Sequence, residues 1–380
     1  MTTAPVRLTS LDAFRGFTIA AMVLVNNPGD WGSLYPQLAH AKWNGWTFTD
    51  TIFPFFLFIG GVAMALSLGR LAAGGADKGQ LLRKLAVRAA IIFLIGFLLN
   101  LIPRFDFGSV RIPGVLQRIA LCTLLAAPLV VYLGWRGQAA AIALLLSIYS
   151  VLQLLVPVPG IGAGVLEPGQ DFGAYIDRML LDGHLWVQAR TWDPEGLLST
   201  LPALCSQLSG VLAGRLLLSS LPRIEQVVWL LLGGLVCLAL GSALDAILMP
   251  INKSLWTPSY CFLMSGWALL AFGAAYWLLD ANPHAALRER AAAWSKPFLI
   301  YGMNALFIFA FSGFVAKMLG FIKLAQPDGS QLSLGRSLYA PIKALPLGPV
   351  NTSLLYAIAF NACMFAVAYL MWRKRWFVKV

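Results

Sequence analysis

Read in a window of about 19 residues, the chain alternates long apolar runs with short polar links. Ten runs stand out, near 8–26, 50–69, 85–102, 114–133, 138–157, 197–218, 226–244, 259–279, 297–318 and 352–372. A helix needs roughly 20 apolar residues to cross a bilayer core, so the pattern predicts an all-α polytopic membrane protein of about ten transmembrane helices. The whole chain, 1–380, then forms one transmembrane domain. The links alternate in charge. Segment 70–84 holds Arg70, Lys78, Arg83 and Lys84, whereas 158–196 holds Glu167, Asp171, Asp177, Asp182, Asp193 and Glu195 against two arginines. Basic links stay in the cytoplasm. That alternation puts Arg136, Arg223, the Arg288/Arg290/Lys296 group and the tail residues Arg373, Lys374, Arg375 and Lys379 inside, with both termini cytoplasmic. The outer face then carries 27–49, 103–113, 158–196, 245–258 and 319–351. Of these, 158–196 and 319–351 are long enough to suggest a function, as extended loops in compact proteins commonly have one.

Composition excludes a soluble enzyme. Hydrophobic residues make up 59% of the chain and charged ones 12%, against roughly 45 to 50% and about 25% in soluble domains. The mean hydropathy of +0.75 requires the apolar excess to face lipid. The net charge of +12 is scattered between apolar runs and reads as a topology signal, not as a nucleic-acid surface. Cys122, Cys205, Cys237, Cys261 and Cys363 fall inside apolar segments in no zinc or redox spacing, so they are assigned to packing and no metal is expected. Asp12, Arg15 and Gly16 interrupt the first apolar stretch, which argues for a span over a cleaved signal peptide.

Candidate chemistry is sparse. His284 and His184 read as loop residues, whereas His40 sits in the polar and aromatic stretch Leu38–Gly45 with Trp43, Asn44 and Trp46 close by. Loop surface and catalysis both remain open for it. Asp12 and Arg15 share a helix face; they form either a self-neutralising structural pair or a functional one, since ionisable groups in a span are costly. Asn26 ends the first span. Asp50 opens the second, where it can cap the helix or hold a histidine ring nitrogen. Arg111 and Arg118 flank Pro113 and Gly114, with Arg118 too deep to be only a loop charge. Asn304 interrupts the ninth span, as interhelical glue or as a ligand group. Trp31, Trp43, Trp46, Trp186 and Trp192 cluster in two outer loops, as an interfacial belt or as platforms for a sugar ring. Gly210 and Gly214 signal close helix approach. No phosphate-cradling Gly-rich loop with a lysine, no H-E-x-x-H and no G-x-S-x-G with partner acid and base is found, which weighs against hydrolytic and ATP-driven activities.

Seven ordered blocks, Ser10–Phe17, Val25–Gly32, Leu38–Gly45, Thr49–Gly61, Arg111–Ala120, Thr191–Thr200 and Tyr301–Ala310, together resemble the heparan-alpha-glucosaminide N-acetyltransferase family of transmembrane acyltransferases and its bacterial relatives. The resemblance implies a transmembrane acyltransferase domain in a bacterial inner membrane. Acetyl would pass from cytoplasmic acetyl-CoA to the amine of a glucosamine-type sugar on the periplasmic side, without a metal. It makes His40 the active-site residue and suggests a homodimer. An amino-sugar transporter is the alternative reading.

On that basis the phosphates of coenzyme A are expected near Arg15, Lys84, Arg88 and Lys296. His40, with an ordinary pKa near 6.5, would act as general base or acetyl carrier. Asp50 would orient it. Asn26 or Asn304 would donate to the thioester oxygen. Arg118, Asn304, Trp43 and Trp192 are expected at the substrate.

Overall fold

The computed structural model describes residues 8–326 and 329–378. Lys379, one of the tail charges, lies outside them. The helices in chain order begin with α1 (Thr9–Val25) and α2 (Phe48–Met64), which runs through a π turn at Ala65–Gly69 into α3 (Arg70–Ala73). They continue as α4 (Lys78–Leu101), α5 (Val115–Tyr132), α6 (Trp135–Leu155), the short α7 (Phe172–Leu181), α8 (Thr200–Leu217) and α9 (Arg223–Ile247). Next come α10 (Pro258–Tyr276), extended by a π turn at Trp277–Ala281, then α11 (Ala285–Trp294), α12 (Lys296–Met303) and α13 (Ala305–Phe321). A two-stranded antiparallel hairpin, β1 (Lys323–Ala325) with β2 (Gln331–Ser333), leads to α14 (Leu334–Lys343) and α15 (Pro349–Arg373).

Every one of the ten apolar windows falls on helix. Among the described residues, seven helices are long and apolar enough to cross a membrane: Phe48–Ala73, Lys78–Leu101, Val115–Tyr132, Trp135–Leu155, Arg223–Ile247, Pro258–Ala281 and Pro349–Arg373. Joining α12 and α13, bent by 81° at Asn304, gives an eighth. α1, with 17 residues, and α8, with 18, carry Asp12 and Arg15, or Gln207 and Arg215, inside otherwise apolar sequence, and neither has the length and apolarity of the other seven. The protein is a multi-pass, mostly helical membrane protein.

Helix starts follow local chemistry. Asp77 accepts from the Gly79 and Gln80 amides, Asp171 from Ala174, and Thr257 from Tyr260 beside Pro258 at the first helical position, which satisfies amides that have no intrahelical partner. Helix α2 is central: 67% of its most apolar window is buried, against 22% for α4, α6 and α9. Those outer helices expose Leu94, Leu98, Leu144, Val151, Leu235 and Val236, side chains that only lipid can cover at such density. Inside, α2 and α8 cross with almost no side chain between them. A Cβ built on Gly61 would stand 1.9 Å from the Gln207 carbonyl oxygen, and one on Gly210 would stand 1.9 Å from that of Phe58. Gly16 and Gly302 do the same for α1 and α12, at 1.7 Å and 2.1 Å from the Phe298 and Asp12 carbonyl oxygens. Small residues at crossings let backbones approach and raise van der Waals contact where no hydrophobic drive acts between helices.

The links at one end of the bundle are the structured ones. α1 leads into the link carrying His40, and the start of α15 meets that link through the Asp30 amide, which donates to Ser353 Oγ at 3.0 Å. Segment 158–199 folds over this end around α7, and 319–351 folds as the hairpin and α14.

Candidate functional site

Asp50 is placed by the start of α2. Its Oδ2 accepts from the Thr47 amide at 3.0 Å, from Thr47 Oγ1 at 3.1 Å and from the Ala41 amide at 3.0 Å. The side chain is fully buried. The cap and the histidine-holding role, left open by the sequence, are filled by different oxygens of one carboxylate: Oδ1 lies 2.7 Å from Nδ1 of His40. An ionised carboxylate can only accept, so Nδ1 carries the proton and Nε2 keeps its lone pair. The His40 side chain is 47% exposed, which leaves that lone pair reachable from outside the protein.

A third group completes the cluster. Nζ of Lys253, in the link between α9 and α10, lies 2.9 Å from Nδ1 and 3.2 Å from Nε2 of His40, and 3.5 Å from Asp50 Oδ1. The two links are laced together. Asn44 and Asn252 form a bridge, the Gly45 amide donates to the Ile251 carbonyl at 2.7 Å, and Asn252 Nδ2 donates to Asn44 Oδ1 at 3.1 Å. Gly45 at φ 93° takes the left-handed turn that this lacing needs. Trp256 holds φ 56°, unusual for a bulky residue, and is kept there by burial and by its Nε1–H donating to Ser206 Oγ at 3.0 Å. Burial pushes the Lys253 amine below its ordinary pKa, while the carboxylates of Asp50 and Glu195 work to keep it charged.

The acidic loop closes the other side. Arg111 donates from Nε to Asp193 Oδ2 at 2.8 Å, from Nη2 to Asp193 Oδ1 at 2.5 Å and from Nη2 to Glu195 Oε2 at 2.5 Å. Glu195 is buried, which alone would raise its pKa, but Arg111, Arg118 and Lys253 hold it below its ordinary value. Arg118, 1% exposed, donates to the Pro194 and Gly196 carbonyls at 3.0 Å and 2.8 Å and to Ser199 Oγ at 2.5 Å, with its guanidinium 5.3 Å from the Trp256 ring. It therefore braces the loop from beneath. Tyr260 donates to the Asp50 backbone carbonyl at 2.6 Å, tying α10 to the same point. Trp43 and Trp192 meet edge to face at 5.2 Å, Trp186 packs on Trp192 at 5.5 Å, and the Trp43 indole donates to the Leu166 carbonyl at 2.9 Å.

The remaining candidates are dispersed. Asn26 follows α1 at the His40 end and is exposed, and its side chain makes no hydrogen bond to His40 among the described residues. Asn304 is elsewhere. Its Nδ2 donates to the Trp376 carbonyl and its Oδ1 accepts from the Val378 amide, in the tail beyond the end of α15 that faces away from Asp30. The amide that breaks the ninth span is thus spent on the carboxyl tail, not on a ligand beside His40. Arg15 pairs with Asp12 at 3.1 Å. Lys84 lies on an open surface with Gln80, Arg83 and Val87 near the start of α4, Arg88 is exposed one turn further, and Lys296 stands 5.5 Å from the Trp372 ring. These four cations divide between α4 and the α1/α12 region and form no single cradle. No group of three or more histidine, cysteine, aspartate or glutamate residues able to hold a metal occurs among the described residues.

Lys253 is the site residue that the sequence reading missed. One signal was available: it is the sole lysine or arginine between Arg223 and Arg288, in a short link that the charge alternation reads as outer, where cations are not favoured.

Comparison with known proteins bears on this region directly. The family model described as "Heparan-alpha-glucosaminide N-acetyltransferase, catalytic" matches residues 7–163, which include His40, Asp50, Arg111 and Arg118. The human protein named heparan-alpha-glucosaminide N-acetyltransferase is 31% identical, with 80% of this chain and 52% of the human one covered. Its mouse counterpart is 30% identical, with 80% and 53% covered. The chain spans about half the length of the curated relatives it matches.

Proposed function

We propose, from the premise that this chain is a relative of the heparan-alpha-glucosaminide N-acetyltransferase family, that it is a membrane acetyltransferase with acetyl-CoA as donor and the amine of a glucosamine-type sugar as acceptor. The observation that carries this is the His40–Asp50 pair: a buried carboxylate holds Nδ1–H, and the exposed ring offers Nε2. That is the geometry of an oriented general base.

In the forward step Nε2 takes a proton from the sugar ammonium. The freed lone pair attacks the thioester carbon, a C–N bond forms, and the carbonyl π electrons move to oxygen. Collapse breaks the C–S bond, the imidazolium returns its proton to the departing thiolate, and the adduct nitrogen gives up its second proton to solvent, so that one proton is released for each acetyl transferred. Asp50 offsets the charge on the ring throughout, at an expected gain of about 10²–10⁴-fold for the base. Trp43, Trp186 and Trp192, which pack on one another, are the flat rings proposed to take a sugar face.

The ten helical windows are read as ten spans with both termini on the cytoplasmic side of a bacterial inner membrane, which puts His40 at the periplasmic end. The charge alternation supports that direction. Coenzyme A, a polyanion, enters from the opposite side, where Lys84 and its neighbour Arg83 offer an open basic surface. Inside-out vesicles containing the protein and trapped glucosamine, given radiolabelled acetyl-CoA outside, should accumulate N-acetylglucosamine within. Unchanged transfer by His40→Ala removes the mechanism. Uptake of the amino sugar that needs an ion gradient and ignores acetyl-CoA would identify a transporter instead.

A further inference from the structure

General-base chemistry leaves one requirement unmet at this site. When the amine attacks the thioester, a full negative charge develops on the carbonyl oxygen, and a preorganised donor at that point is usually worth more than any other single group. The two asparagines expected there do not fill the place: Asn304 is spent on the tail, and Asn26 is exposed without a bond to His40.

Lys253 is where such a donor has to be. Its Nζ is 3.2 Å from Nε2, the atom that must touch the attacking amine, so the acyl oxygen beside that amine falls within reach of the same ammonium. The position is fixed before any substrate arrives. Asn252, the preceding residue, is buried and bonded to Asn44 and to the Leu255 amide at 2.9 Å, and Trp256 is locked beyond it. The Lys253 side chain is 19% exposed, enough for contact with a ligand yet too little for free solvation. The ion pair with Asp50 Oδ1 at 3.5 Å holds the ammonium beside the ring, where it faces any anion formed there. We propose that Lys253 is a catalytic residue that stabilises the tetrahedral oxyanion of acetyl transfer. The proposal rests on the acetyltransferase reading.

The test uses the full-length protein in proteoliposomes, with acetyl-CoA and glucosamine, over a pH series. Lys253→Met should drop the kcat plateau, reached where His40 is neutral, by about 10²–10³-fold, with KM for acetyl-CoA within threefold. A second variant guards against misfolding. Lys253→Cys should be equally slow, and aminoethylation of its thiol, which restores an ammonium at nearly the same reach, should recover at least a tenth of the lost rate, measured against wild type treated alike. A plateau within threefold of wild type in Lys253→Met, with only the acid limb displaced, would show that the lysine acts through His40 alone and overturn the proposal. An aminoethylated Lys253→Cys no faster than the untreated variant would do so too. Should wild type itself transfer no acetyl group, the acetyltransferase reading fails first, an outcome recognisable before any variant is made.

Discussion

His40 Nδ1 and Asp50 Oδ1 are held 2.7 Å apart by a carboxylate whose other oxygen is already committed to the Thr47 and Ala41 amides. Asp50→Asn keeps the size of that side chain and removes its charge. The ring then loses its anionic partner, and an amide NH2 facing Nδ1 favours the tautomer with the proton on Nε2. Acetyl transfer should fall by about 10²–10⁴-fold in kcat, with KM for the amino sugar changed less than fivefold. Steady-state kinetics in proteoliposomes decides it, and a loss confined to KM would contradict the orienting role.

Arg118 is expected to matter for folding more than for ligand affinity. Removing it takes the Arg118 donor from the Pro194 carbonyl, at about 1–3 kcal/mol for a group left unpaired, while the Gly196 carbonyl still accepts from Ser199 Oγ and Thr200 Oγ1. Arg118→Met should lower the thermal midpoint in detergent, followed by tryptophan fluorescence, and Arg118→Lys should recover only part of it because an ammonium cannot span the same fork.

Two adjacent glycines on α2 make a controlled comparison. Gly61→Ala places a methyl 1.9 Å from the Gln207 carbonyl oxygen and must force α2 and α8 apart, at about 1–3 kcal/mol. Gly60→Ala meets its nearest atom, Gln207 Nε2, at 3.8 Å and should leave the thermal midpoint unchanged or slightly raised. Equal effects from the two would mean that helix approach is not what these positions control.

Asp177 gives a pH signature. Burial pushes its pKa up to about 7 from the ordinary aspartate value of 3.8. The native state therefore binds this proton more tightly than the unfolded chain, so its stabilising contribution is complete below pH 3.8, is lost as pH rises towards about 7, and is absent above. Asp177→Asn, which can still accept from the Leu197 amide that now bonds Oδ1 at 2.8 Å, should flatten that part of the stability curve. At pH 8 it should melt higher than wild type. A wild-type midpoint that rises between pH 4 and 7 in step with Asp177→Asn would show that the group titrates normally.

Much of this was legible in the letters. The ten apolar windows all fall on helix because a run of that length and hydropathy has few other ways to satisfy its backbone in lipid. Boundaries and strength were harder to read where polar residues intrude. α1 and α8 carry charges inside their runs, and Asn304 produces an 81° bend that hydropathy smooths over. At the site, His40 and Asp50 are ten residues apart, and the local chemistry of a helix start brings them together. Arg118 and Asn304 were visible as buried polar groups, but a sequence window cannot tell a ligand from a distant carbonyl, and both are satisfied by backbone far along the chain. Lys253 meets His40 across 213 positions, a relation set wholly by how α9 and α10 pack against the rest.

The lacing of Asn44 to Asn252 also constrains biogenesis. A ribosome releases the histidine early, yet its partner amine emerges only after α9 has been made. A nascent or truncated chain ending before that point carries half of the apparatus and should be inert towards acetyl donors. Co-expressed fragments cut within the turn between α8 and α9 should regain activity only when both are inserted side by side.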